Sequence, residues 1–169
     1  MEKKTAWLPI DPVDSVTEIA KLILEEYYRV SHGHLPTQQK LNELIYLCTR
    51  DTFSVLGRPI VDAKFKIKDG FLMEISPEVP PIKALLNTEA IVSDYAISDV
   101  IRSVLPNYAM LESWYLREMI KGVCKRAIGT LKTNSTVDLT LENIWEDGIA
   151  NPPIDYYTGE PLIPEENDE

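Results

Sequence analysis

Glycine is scarce in this chain, with 7 in 169 residues, and none of them belongs to a Walker loop, a dinucleotide-binding fingerprint or a nucleophile elbow. Cysteine is scarcer. Cys48 and Cys124 both stand inside apolar helical patterns, which reads as small core thiols and suits a reducing compartment. The two histidines, His32 and His34, flank Gly33 with no further ligand pattern nearby, so they read as imidazoles of a polar loop and no metal site is expected. Hydrophobic runs fall short of the ~18 residues that a membrane span needs. Met1-Glu2-Lys3-Lys4 leads into Pro9, Asp11, Pro12 and Asp14 instead of an apolar stretch, so no signal peptide is expected and the location reads as cytoplasmic. Adjacent carboxylates such as Glu25 and Glu26 point to different helix faces. With no catalytic constellation and no cofactor motif, the expectation is a protein that is not an enzyme.

Positive charge is missing from one region altogether. The formal net charge is −10, yet all 17 Lys and Arg lie within residues 1–132, where the acids balance them. The last 37 residues carry ten acids, among them Asp138, Asp147, Asp155 and Glu160, and no Lys or Arg. Such a segment repels nucleic acid and anionic membranes, so neither is expected as its partner. It has two readings: a solubilising terminus, or a strip that docks on a basic surface.

What is present is mostly helical. Composition, at 44% hydrophobic and 26% charged over 169 residues, fits one domain with its own core. Ser15-Val16-Thr17-Glu18 has capping-box spacing, and Val16, Ile19, Ala20, Ile23, Tyr27 and Val30 follow at helical intervals to an end near Ser31. Thr37 starts a second helix with Leu41, Leu44, Ile45 and Cys48 on one face, and Gly57 stops it. The period then changes to two. Val61, Ala63, Phe65 and Ile67 alternate with Asp62, Lys64, Lys66 and Lys68, and Asp69-Gly70 turns the chain into a return strand with Phe71, Met73 and Ile75. A short helix between Glu78 and Leu86 follows. Ser93-Asp94 caps another that Pro106 stops, and Asn107 caps a long helix whose stripe includes Trp114 as a core residue. A last short helix runs around Thr140 to Trp145. The expected fold is α+β and mostly α-helical, a helical bundle with one small β-hairpin: a lead over 1–14, a globular domain over 15–147 and an extended acidic, Pro-rich tail over 148–169.

Three segments resemble the Panacea domain of SocA-like and GepA-like, phage-associated antitoxins. They are Val16-Thr17-Glu18-Ile19-Ala20-Lys21-Leu22-Ile23, then Lys40-Leu41-Asn42-Glu43-Leu44-Ile45-Tyr46, then Gly57-Arg58-Pro59-Ile60-Val61-Asp62. Their order and spacing carry the resemblance, which is strongest over about 50 residues. The family's Trp and Gly-Pro-Val after the Asp are replaced here by Phe65–Gly70 and Ser76–Val79, and its later Thr-His pair has no match near Tyr115–Glu118.

The resemblance implies an antitoxin that binds a cognate toxin directly and silences it. Interfaces of this kind rest on a few aromatic anchors with a polar rim. Tyr156 and Tyr157 are therefore candidate contacts, with the tail acids Asp155 and Glu160 and then Lys64, Lys66 and Lys68. The lysines have a second reading, as a charged face guarding an edge strand. A different function class is a phage-encoded inhibitor of a host defence nuclease, acting through its acidic surface.

Overall fold

Residues 15–92, 94–129 and 136–163 are described in the computed structural model of the chain. The first helix, α1 (Val16–Val30), begins where the Ser15 hydroxyl accepts the Glu18 amide at 3.3 Å. Its stripe from Val16 to Tyr27 is buried. After a short turn, the Thr37 hydroxyl accepts the Lys40 amide at 3.1 Å and opens α2 (Gln38–Leu56). Gly57 ends α2 in the left-handed conformation, as its position predicts. The α2 helix differs from the rest in being buried nearly all round from Glu43 to Ser54, polar residues included. A helix of this kind runs through the middle of the molecule and must find partners for every polar group it brings along.

The hairpin forms from β1 (Lys64–Lys68) and β2 (Leu72–Ser76), with Asp69 and Gly70 both at positive φ in the turn. Phe65, Ile67, Met73 and Ile75 face inward. A third strand, β3 (Thr136–Leu139), pairs antiparallel with β1, Phe65 opposite Leu139 and Lys66 opposite Asp138. The sheet order is β2-β1-β3. This corrects two expectations: the sheet has three strands, and the lysine-bearing strand is central and guards no edge. The alternation of Thr136-Val137-Asp138-Leu139 is only four residues long, too short to stand out from its surroundings.

A single helical turn, α3 (Ile82–Leu85), leads to α4 (Tyr95–Ala109), which is capped by Asp94 accepting the Ala96 amide at 2.9 Å. Ser93, the other half of the expected cap, lies outside the described residues. Pro106 does not stop α4; it lies inside the last turn. The missing N–H forfeits one helix bond, but Leu105, Tyr108 and Ala109 beyond it are buried. The Lys40 ammonium also holds the helix end, donating to the carbonyls of Ala109 at 2.7 Å and Leu111 at 3.1 Å. Consequently α5 (Ser113–Ile128) begins after Glu112 and not at Asn107. Trp114 is 59% exposed, against the expectation of a core residue. Two residues before the buried Leu116, it is rotated ~200° from the stripe of Leu116, Ile120 and Val123.

The last helix, α6 (Leu141–Ala150), carries a capping box between Thr140 and Asn143. It runs past Trp145, so a tail boundary at 148 falls inside a helix, and Gly148 is buried. Helices α1 and α4 pack on α2 and on each other, while α5, α6 and the sheet pack together and on α2. One continuous core results.

Candidate interaction surface

The centre of the molecule is ionic. Arg50 and Asp51 of α2 are 2% and 0% exposed, and Asp147 of α6 is 1% exposed. The Arg50 guanidinium donates to Asp51 at 3.0 Å, to Asp147 at 3.2 Å and to the Tyr108 hydroxyl of α4 at 2.9 Å. Tyr108 in turn donates to Asp51, and Tyr46 donates to Asp147 at 2.7 Å. Arg126 of α5 reaches Asp147 from the surface. Two guanidinium groups thus face two carboxylates, so the cluster is neutral and each carboxylate oxygen accepts at least one hydrogen bond, the condition for burying charge at tolerable cost. Burial pushes the Asp51 carboxyl up while Arg50 and the Tyr108 hydroxyl pull it down, and the net direction is upward. Burial and the neighbouring carboxylates raise both phenols.

None of Tyr46, Arg50, Asp51 or Tyr108 was a candidate from the sequence. The signal that could have found the pair is local: Arg50 and Asp51 interrupt an apolar stripe one turn after Leu47 and Cys48, where solvated charges do not belong.

This cluster fixes the segment that follows α6. Asn151 donates to the Asp147 carboxylate and carbonyl, both at 3.1 Å. Residues 151–163 do not extend into solvent as the tail reading expects; they fold back over the body. Ile154 bridges to Pro161, and the Tyr156 amide bonds the Ser103 carbonyl of α4 at 2.9 Å. Asn107 donates to the Ile154 carbonyl at 2.7 Å. The turn closes on itself because Asp155 accepts the amides of Tyr157 and Thr158, and Gly159 takes a positive φ. Asp155 is therefore half-buried and engaged in the turn, whereas Glu160 is exposed.

Tyr156 and Tyr157, stacked edge to face at 5.3 Å, project from this small hairpin at 55% and 59% exposure. Arg29 of α1 donates to the Tyr157 hydroxyl at 2.8 Å and steadies it. The hairpin also helps to wall an apolar groove of about 480 Å³, lined by Trp145, Ile149, Pro152, Ile154, Pro161 and Ile163. Phe53 of the core supports Trp145 at a ring separation of 5.2 Å.

The lysines lie elsewhere. Lys64 and Lys68 are exposed on the outer face of the sheet, and Lys66 is 3.9 Å from Asp138 on β3. The C-terminal hairpin bonds to α1 and α4 while the lysines stand on β1, and no contact is seen that brings the tyrosines and the lysines together among the described residues.

His32 and His34 are exposed in the α1–α2 turn, and Cys48 and Cys124 are buried free thiols. Among the described residues no group of three or more His, Cys, Asp or Glu could hold a metal ion, and no helix is long and apolar enough to cross a membrane. Glu43 lines a narrow cleft with Lys40, Phe71 and Arg117; burial raises its carboxyl to about 7, against the opposing pull of Arg117 and Lys40. Comparison with protein-family models, curated proteins and solved structures finds no match to this chain.

Proposed function

We propose that this chain is an antitoxin-like protein of the cytoplasm that binds a cognate toxin by direct contact and so neutralises it. The observation that carries the reading is the C-terminal hairpin, which presents two exposed tyrosines and whose Ile154 and Pro161 help to wall an apolar groove. Large apolar side chains are normally withdrawn from water. Exposed aromatics on a turn that is braced by hydrogen bonds to α1 and α4 suit an interface anchor. Tyrosine suits that position because it offers wide contact area and few rotatable bonds. The resemblance of α1, α2 and the Gly57–Asp62 turn to Panacea-domain antitoxins supports the choice of a toxin as the partner.

A nuclease inhibitor that mimics nucleic acid has less in its favour. Of the ten acids in the last 37 residues, Asp147 is buried, Asp155 builds a turn and Asp138 lies beside Lys66. These three acids do not share one anionic face, and the acids beyond position 163 lie outside the described residues.

The test is recovery of proteins bound to a tagged full-length chain in its native host, with the Tyr156→Ala/Tyr157→Ala double variant beside it. Capture of one protein that arrests growth when expressed alone, lost in the double variant, is expected. Capture of a nuclease, released steeply by salt, would replace this reading with the inhibitor. Recovery of no partner would end both.

A further inference from the structure

On one side the sheet ends at β2, whose free edge borders a polar groove of about 470 Å³ against the first turns of α2. The inner side of β2 is taken by β1. The Met73 carbonyl points the other way and accepts from the Asn42 side chain at 3.4 Å. Backbone groups change sides at each residue of a strand, so the N–H and C=O of Ile75, two positions on, also face outward. Among the described residues no backbone or side-chain group pairs with them. Edge strands are usually blunted by proline, lysine or a bulge. The five residues of β2 contain neither proline nor lysine, and their register with β1 is unbroken.

Two further groups at the groove are unused. Gln39 Nε2 and Asn42 Oδ1 are buried and make no hydrogen bond. Leaving a buried donor or acceptor unmade is unfavourable, and few native groups are left so without a reason. Turned into the groove that their residues line, both would find in a polypeptide backbone what they lack, a carbonyl for the Gln39 amide and an N–H for the Asn42 oxygen. The charge of the groove has one sign: Glu74 and Glu78 are exposed on its rim, and no Lys or Arg lines it.

From this combination we infer that β2 accepts a fourth strand, an extended segment of a partner protein carrying lysine or arginine beside Glu74 and Glu78 and paired through the main chain of Ile75. Strand addition takes its affinity from main-chain bonds, while the acidic rim selects basic side chains. The groove shares no lining residue with the one beneath the C-terminal hairpin, and the inference does not depend on the toxin reading. It gives the chain a second point of attachment, of use wherever two partners must be held together.

The full chain, labelled with ¹⁵N, is titrated with two synthetic peptides, acetyl-Thr-Lys-Val-Lys-Val-Lys-Thr-amide and the same sequence with glutamate for lysine. The lysine peptide is expected to shift the amide signals of Met73 to Ser76 and to slow hydrogen exchange at Ile75 about tenfold or more. The glutamate peptide is expected to bind at least about tenfold more weakly, and the exposed substitution Glu74→Lys to narrow or reverse that preference. Gln39→Ala, which removes an amide with no partner, should leave Tm unchanged and weaken the peptide several-fold. Shifts confined to another surface, equal binding of both peptides or no response at millimolar lysine peptide would overturn the inference. So would protection of Ile75 that grows with protein concentration in the absence of peptide, since a second copy would then be the fourth strand.

Discussion

The Tyr46 hydroxyl donates to the Asp147 carboxylate at 2.7 Å across 101 residues of chain, and both side chains are buried. This contact, with Arg50 on the same carboxylate, joins the central helix to the acidic end of the sequence. It makes the region after α5 part of the fold, where the charge pattern alone describes only a surplus of acids.

Asp147→Ala is expected to cost about 3–5 kcal/mol, because it strips Tyr46, Arg50 and Arg126 of their shared acceptor and leaves two guanidinium groups with Asp51 as the one carboxylate of the cluster. Arg126→Ala, at the exposed rim of the same cluster, should cost about 1 kcal/mol or less. Urea denaturation of the two variants checks the ranking; equal losses would show that the cluster is not organised around Asp147.

Gly148 sits where α6 crosses α2, and a methyl group there would lie 2.0 Å from Ser54 Oγ and 3.4 Å from Ser54 Cβ. Gly148→Ala should therefore destabilise by about 1–3 kcal/mol. Ser54→Ala in the same chain removes the closer clash and should recover a large part of the loss. Thermal unfolding of the single and double variants measures the coupling directly.

Glu43 provides a pH dependence of known sign. Its carboxyl is raised to about 7 in the folded protein by burial, so below that pH the folded chain holds a proton that the unfolded chain releases above ~4.5. Stability from this group is full below about pH 4.5, falls as pH rises towards about 7, and is level above it, with a total change on the order of 2 kcal/mol. Glu43→Gln should flatten that part of the profile and make the protein more stable than the wild type at pH 8. A parallel pair of stability curves from pH 4 to 8 would reject this.

Tyr157→Phe removes a hydroxyl whose donor among the described residues is the exposed Arg29, so stability should change by less than about 0.5 kcal/mol. Tyr156→Ala/Tyr157→Ala should likewise spare the fold, yet weaken the captured partner by tenfold or more if the hairpin is the anchor. Calorimetry on the purified complex separates the two effects. Loss of binding in Lys64→Ala/Lys68→Ala instead would move the interface to the sheet.

The parts of the fold legible in the sequence are those that are local. Ser15 and Thr37 cap helices because a hydroxyl meets an amide three residues away, and Gly57 and Asp69-Gly70 supply backbone conformations that few other residues adopt cheaply. The parts that were not legible depend on distant partners or on phase. Pro106 reads as a stop until Lys40 is seen holding the turn beyond it, and Trp114 reads as core until α5 is found to begin at Ser113. The candidate surface divides in the same way. Tyr156 and Tyr157 were visible as aromatics without a helix to join, but the apolar groove that the hairpin helps to wall needs α6 and Phe53 in place before it exists.

The ionic cluster also bears on the order in which the chain can acquire its structure. Arg50 and Asp51 are neighbours on α2, but the second carboxylate they need arrives 97 positions after Arg50. An early pairing of α1 with α2 has to keep water around these groups, since expelling it before Asp147 docks would leave Arg50 Nη1 and the Tyr46 hydroxyl buried without an acceptor. Contacts across such long loops are found late. The final drying of the interior and the most distant search along the chain are thus one step, and Asp147→Asn should slow refolding if its docking belongs to the rate-limiting barrier.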